Sequence, residues 1–213
     1  MTKPLSYTPD AVAARNAAIM EQPPRLPANR TEAVLAPARA MMAQIAGAAS
    51  GQATPVPDEH IPEMLLTAMC HQELFERVVN VSLQLLKNPS LPLRDRQLVI
   101  LRTGWLRQIP YIFGEHVSVS KKLGLTDEDI EQVIVGSASP HWSEHEKALL
   151  EATEQIVNSA MVTDEVWQIL AKSYNHPQLF ELPVLIGQFS TVGYFQNVLR
   201  IPLSPSNPGL TAR

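Results

Sequence analysis

The chain has 213 residues, 45% of them apolar, and a formal net charge of −4, so it can bury a core without metals or disulfides. Its one cysteine, Cys70, excludes an internal disulfide and any CxxC redox pair. Acidic and basic residues are interspersed, no basic stripe points to nucleic acid, and no run approaches the roughly 18 apolar residues of a membrane span.

The N-terminal stretch MTKPLSYTPDAVAARNAAIM has neither the apolar segment nor the cleavage pattern of a secretory signal. With a single thiol, which suits a reducing compartment, the expected location is cytoplasmic. Nine of the eighteen prolines fall in residues 1–62, which marks an irregular arm with helical pieces. Residues 11–20 form a short helix there, and PPRLP at 23–27 breaks it. Residues 31–48 are rich in Ala and Met and competent for a second helix. GAASGQATPVPDEHIP (47–62) reads as a surface loop.

From Pro62 onward the pattern is helical. Apolar residues at 65, 66 and 69, then at 74, 75, 78, 79, 83 and 86, follow the helical period. NPSLP at 88–92 ends the second of these helices. The next runs over 93–108, with apolar positions 98, 101, 105 and 106 on one side and Arg94, Asp95 and Arg102 on others. Pro110 opens another helix, at a position where no N–H is needed, and it ends at Leu123 before Gly124. Thr126 with Asp127, Glu128 and Asp129 is an N-cap followed by an acidic first turn. Ser143 and Glu146 form a capping box for a helix reaching about Ala160. Thr163 starts a shorter one, and residues 177–199 form the last, with Pro183 expected to kink or split it. The reading is therefore all-α: an arm and loop over 1–60, a helical domain over 61–202, and a tail over 203–213.

One histidine stands out. On the helix from Pro110, Ile112, His116, Val119 and Leu123 form a continuous stripe. A histidine in an apolar stripe is either a core residue bonded to a carbonyl or carboxylate, or a proton-transfer group in a dry pocket. Glu115 and Tyr111 share a face about 100° away, and either lines a pocket or faces a surface partner. Gln97, early on the preceding helix, comes close through the short connection at Ile109–Pro110. Arg102 is the nearest candidate for holding a carboxylate, against the simpler reading of a salt bridge.

The cluster HWSEHE at 141–146 suggests zinc, but Ser143 is an N-cap, so His141 and His145 straddle a helix start and no metal site is expected. Trp142 reads as the apolar staple of that helix. Gln188, Thr191 and Asn197 are polar residues within the apolar last helix and either line a cavity or meet a neighbour. Trp105 and Phe113 are core or interface anchors, with Trp105 also placed near the substrate. Cys70 reads as a small buried hydrophobe.

LRDRQLVILRTGWL, YIFGEHVSVSKKLGLTDEDIEQVIVG, HWSEHEKALLEATEQI and IGQFSTVGYFQNVLRIP occur in that order. Together they resemble the carboxymuconolactone decarboxylase / alkyl hydroperoxidase D-like family over roughly residues 60–202. The resemblance implies an alkyl hydroperoxidase D-like helical bundle that assembles as a homo-oligomer, trimer or hexamer, with sites between helices near subunit contacts. In the peroxidase branch, the pattern anchored on His116 puts two cysteines at Ile109 and Ile112 and a glutamate at Gln97. Only the histidine matches, and a thiolate is indispensable to peroxide reduction, so that chemistry is excluded. The resemblance to the decarboxylase branch implies a cofactor-free enzyme acting on a small carboxylate or lactone in aromatic-compound catabolism. His116 would supply a proton, Gln97 or Tyr111 would donate to an oxyanion, and Glu115 would orient the imidazole. Arg102, Trp105, Gln188 and Asn197 are the expected substrate contacts. A helical oligomer that only binds a small hydrophobic ligand, and an antioxidant protein relying on Cys70, are the alternatives.

Overall fold

The computed structural model describes residues 8–50 and 57–213. Among these residues ten α-helices follow one another: α1 (Pro9–Met20), α2 (Glu32–Ser50), α3 (Glu63–Ala68), α4 (Gln72–Lys87), α5 (Leu93–Leu106), α6 (Pro110–Lys122), α7 (Asp127–Val135), α8 (Glu144–Ser159), α9 (Asp164–Ser173) and α10 (His176–Leu199). Among the described residues there is no strand. The expected loop over 47–62 is shorter than its composition suggests, since α2 runs to Ser50; residues 51–56 lie outside the described residues.

Local chemistry sets several helix starts. Thr126 and Asp129, Ser143 and Glu146, and Asn175 and Gln178 form reciprocal capping boxes, each satisfying two backbone N–H groups that the first turn leaves free. The box at Asn175 starts α10 at His176. Gly124 adopts φ 96°, the left-handed conformation that lets the chain leave α6. Pro183 lies inside α10 without splitting it: the helix is continuous over 24 residues.

Helix α5 occupies the centre and packs against α6, α7, α8 and α10. Every residue from Asp95 to Leu106 is buried. Asp95 and Arg102, placed by the sequence on faces other than the apolar one, are buried too, because a distant partner meets each. The Arg102 guanidinium binds Glu154 of α8 through Nε at 3.0 Å and donates Nη1 to the Val133 and Ile134 carbonyls at the end of α7. Arg94 is the half-exposed member, paired with Asp129 and Glu146. At Gly104 the helix passes so close to α6 that a Cβ would sit 3.2 Å from the Phe113 nitrogen.

The apolar side of α6 is rotated from the expected stripe. Ile112, Phe113, Val117 and Ser120 are buried, whereas Val119 and Leu123 are 38% and 42% exposed. The buried set recurs at i, i+1, i+5 and i+8, a broader face than a single row. Cys70, expected inside, is exposed in the turn between α3 and α4.

The flanking segments join the fold. Ala38 and Met41 of α2 pack with Leu65, Leu66 and Phe75 in an apolar cluster of their own. The C-terminal tail lies along α6, with Leu210 and Ala212 buried beside Leu98, Trp105 and Phe113. Asn207 fixes it by donating to the Tyr111 carbonyl and to Glu115 Oε1, at 3.2 and 2.9 Å.

Candidate active site

Gln97 and His116 meet where α5, α6 and α10 converge. The Gln97 side chain is fully buried, and its Oε1 is 3.0 Å from His116 Nδ1. The same oxygen accepts from the Ser120 hydroxyl at 3.1 Å. Ser120 lies one turn beyond His116, so both reach Gln97 from one side of α6. Oε1 is an acceptor, so His116 must carry its proton on Nδ1, which leaves Nε2 with a bare lone pair. No partner for Nε2 occurs among the described residues. The imidazole also stands edge-on to Phe189 of α10, with ring centroids 4.9 Å apart at 87°.

Two effects keep this ring neutral. Burial is the larger and the charge of Arg96 the second, and together they lower the His116 pKa to about 3. At neutral pH His116 is therefore a proton acceptor at Nε2. This changes the role expected from the sequence, in which it supplies the proton. Arg96 is 5% exposed, and its Nη1 donates to the Leu85 carbonyl at 2.9 Å. Its Nε is buried without a partner, and no carboxylate lies within ion-pair distance of it among the described residues. Burial lowers the Arg96 pKa, and the charge of Glu181 opposes that. Glu181 is itself held by the backbone N–H groups of Ser90 and Leu91.

The other expected site residues lie elsewhere. Tyr111 packs on the core, and its backbone N–H donates to Gln196 Oε1. Burial first and the Glu115 charge second raise its hydroxyl pKa to about 12. Glu115 accepts from Asn207 and helps hold the tail. Arg102 binds Glu154 on another face of α5. Trp105 packs on Phe113 with ring centroids 5.4 Å apart. Gln188 donates to the Val78 carbonyl and Ser82 hydroxyl of α4, and Asn197 donates to the Gln108 carbonyl. The structure thus brings together Gln97 and His116 and disperses the rest.

Sequence reasoning missed Arg96, Ser120 and Phe189. Arg96 adjoins Gln97 and Ser120 follows His116 at i+4, so both spacings were visible; the approach of Phe189 depends on how α10 crosses α6.

His141 and His145 do not converge. His141 Nε2 meets Asp129 Oδ1 at 2.9 Å, and His145 Nε2 meets Asp95 Oδ2 at 2.9 Å. Asp95 also accepts from the Tyr174 hydroxyl at 2.6 Å. Among the described residues no group of three metal-capable side chains forms. Trp142 is buried and donates its indole N–H to the Gly136 carbonyl at 3.0 Å.

Residues 72–155, which carry both Gln97 and His116, match the model of the carboxymuconolactone decarboxylase family. Over that segment the chain is similar to the carboxymuconolactone decarboxylase family. Among curated proteins, an uncharacterized protein of Bacillus subtilis (strain 168), YdfG, is 26% identical to this chain over 107 residues. That match spans 49% of this chain and 73% of YdfG.

Three solved structures share the fold. The AhpD-core, peroxidase-related protein of Ralstonia eutropha JMP134 superposes with a TM-score of 0.70 at 14% identity, over 86% of this chain and 94% of that one. The debrominase Bmp8, as a variant in complex with 2,3,4-tribromopyrrole, gives 0.70 at 11% identity, over 88% and 95%. ATU0492 of Agrobacterium tumefaciens, a protein of unknown function, gives 0.59 at 23% identity, over 64% and 96%. In this decarboxylase/AhpD-like chain, the two positions that the peroxidase pattern assigns to cysteine hold Ile109 and Ile112, 0% and 2% exposed.

Proposed function

We propose that this protein is a cofactor-independent enzyme that moves a proton on a small carboxylate or lactone, in the manner of the decarboxylase branch of the family it resembles. The observation that carries this reading is the Gln97–His116 pair: a neutral imidazole, its tautomer fixed through Nδ1, with Nε2 free to take a proton. Arg96 supports it as the group that would hold a substrate carboxylate, being buried with an unfilled Nε. Such a carboxylate neutralises the charge that helps depress the His116 pKa. The imidazole then becomes more basic in the complex, takes a proton from the substrate at Nε2, and returns it as imidazolium to the carbanion or dienolate that loss of that proton or of CO₂ leaves. The same equipment serves decarboxylation and isomerisation, and small carboxylates and lactones are the substrates to screen.

Replacing His116 with Ala should lower turnover at least ~100-fold on whichever acid or lactone the wild-type chain converts. Near-normal turnover in that variant, with circular dichroism unchanged, would remove His116 from the chemistry. Cys70→Ser should leave turnover unaltered, since that thiol sits in the exposed turn between α3 and α4.

A further inference from the structure

A second site is built where α1 meets the α5–α6 turn. A cavity of about 530 Å³ opens there, lined by Ala11, Ala14, Arg15, Arg107 and Gln108. Neither arginine has a carboxylate within ion-pair distance among the described residues. Arg15 uses only Nε, toward the Gln108 carbonyl at 3.3 Å. Arg107 donates Nη2 to the Val157 carbonyl at 2.9 Å, and its Nε is buried without a partner. Two guanidinium groups sharing one concavity repel each other, and among the described residues no carboxylate pairs with either.

Gln108 contributes a further unmet group. It is 6% exposed and donates Nε2 to the Trp105 carbonyl at 2.9 Å, which fixes the amide orientation and leaves Oε1 buried without a partner. Its backbone is held at φ 51°, left-handed and costly for a residue with a Cβ. The Asn197 side chain and Arg15 both bind its carbonyl, so α1, α5 and α10 converge on this one residue. A buried acceptor lacking a donor, beside two cations lacking an anion, describes the ligand that would complete them.

We infer that this cavity binds a small carboxylate with a neighbouring hydroxyl: the carboxylate lies between Arg15 and Arg107, and the hydroxyl donates to Gln108 Oε1. The site is separate from Gln97 and His116, neither of which lines it. Because Arg15 belongs to α1, the bound ligand ties the N-terminal arm to the central helices.

Calorimetric titration of the full chain with malate and with succinate, at an ionic strength fixed with chloride, tests this. Malate should bind saturably, more tightly than succinate. Arg15→Gln should weaken malate binding at least about tenfold, the effect of losing one charge-assisted contact. Arg107→Gln should do the same, and because Arg107 also holds the Val157 carbonyl, Arg15→Gln, on the outer helix, remains decisive should that variant fail to fold. His116→Ala should bind malate as the wild type does, which keeps this site's fate apart from that of the proposed activity. No saturable heat with malate, equal affinity for succinate, or unchanged binding in Arg15→Gln overturns the proposal.

Discussion

Gln97 acts on His116 in two ways. It selects the tautomer through one oxygen, and by being buried itself it keeps water from Nδ1. The result shows in the response to acid. The His116 pKa is about 3 in the fold, against an ordinary value near 6.5 in an unfolded chain. Between those values the unfolded chain binds the extra proton and the folded one does not. This contribution to stability is therefore complete above about pH 6.5 and is lost as pH falls toward 3, with a slope of at most about 1.4 kcal/mol per unit. In urea titrations across that window, His116→Asn should show a flatter dependence than the wild type; identical slopes would mean that the ring is not held neutral. Asp129 titrates in a lower window. Its hydrogen bonds to Arg94 hold its carboxyl well below the usual carboxylate range, with burial opposing and His141 adding to the effect. That part is present above about pH 4 and lost below it.

At the scale of elements, α5 has a different role from the one its sequence suggests. Arg102 joins three helices, α5, α7 and α8, through Glu154 and two carbonyls at the end of α7. Arg102→Met should destabilise the protein by about 3 kcal/mol, because Glu154, largely buried, then loses its counter-charge and keeps only the two hydrogen bonds from Ser137. A urea midpoint within experimental error of the wild type would show that the network is dispensable. The same residue illustrates what could be read beforehand. Helix positions, the N-cap at Thr126, the capping box at Ser143, and the all-α class follow from short-range chemistry and were legible. The burial of Asp95 and Arg102 depends on His145, Tyr174 and Glu154, partners about 50 to 80 residues away, and no local pattern encodes it. The meeting of Gln97 and His116 was legible because only a short turn separates their helices. The rotation of α6, which exposes Val119 and Leu123 and buries Val117 and Ser120, was not: it depends on the tail and on α10 covering the other side.

For the molecule as a whole, the tail beyond α10 returns the chain to its own middle. Gly114 makes room for this, since a Cβ there would collide with the Asn207 side chain and crowd the Gly209 nitrogen. Gly114→Ala should cost about 1–3 kcal/mol through overpacking and should release residues 207–212, seen as faster amide hydrogen exchange there than in α8. Unaltered protection of those amides would show that the tail is held by its apolar contacts alone. Helix α5, enclosed by α6, α7, α8 and α10, has a further consequence. Its side chains answer to several neighbours at once, so a change at one of them must be matched by another on a separate helix. Such a segment accepts few single substitutions. Its mutational record should be sparse over the twelve residues from Asp95 to Leu106, while α4 and α9, each with one side open to solvent, have room to drift.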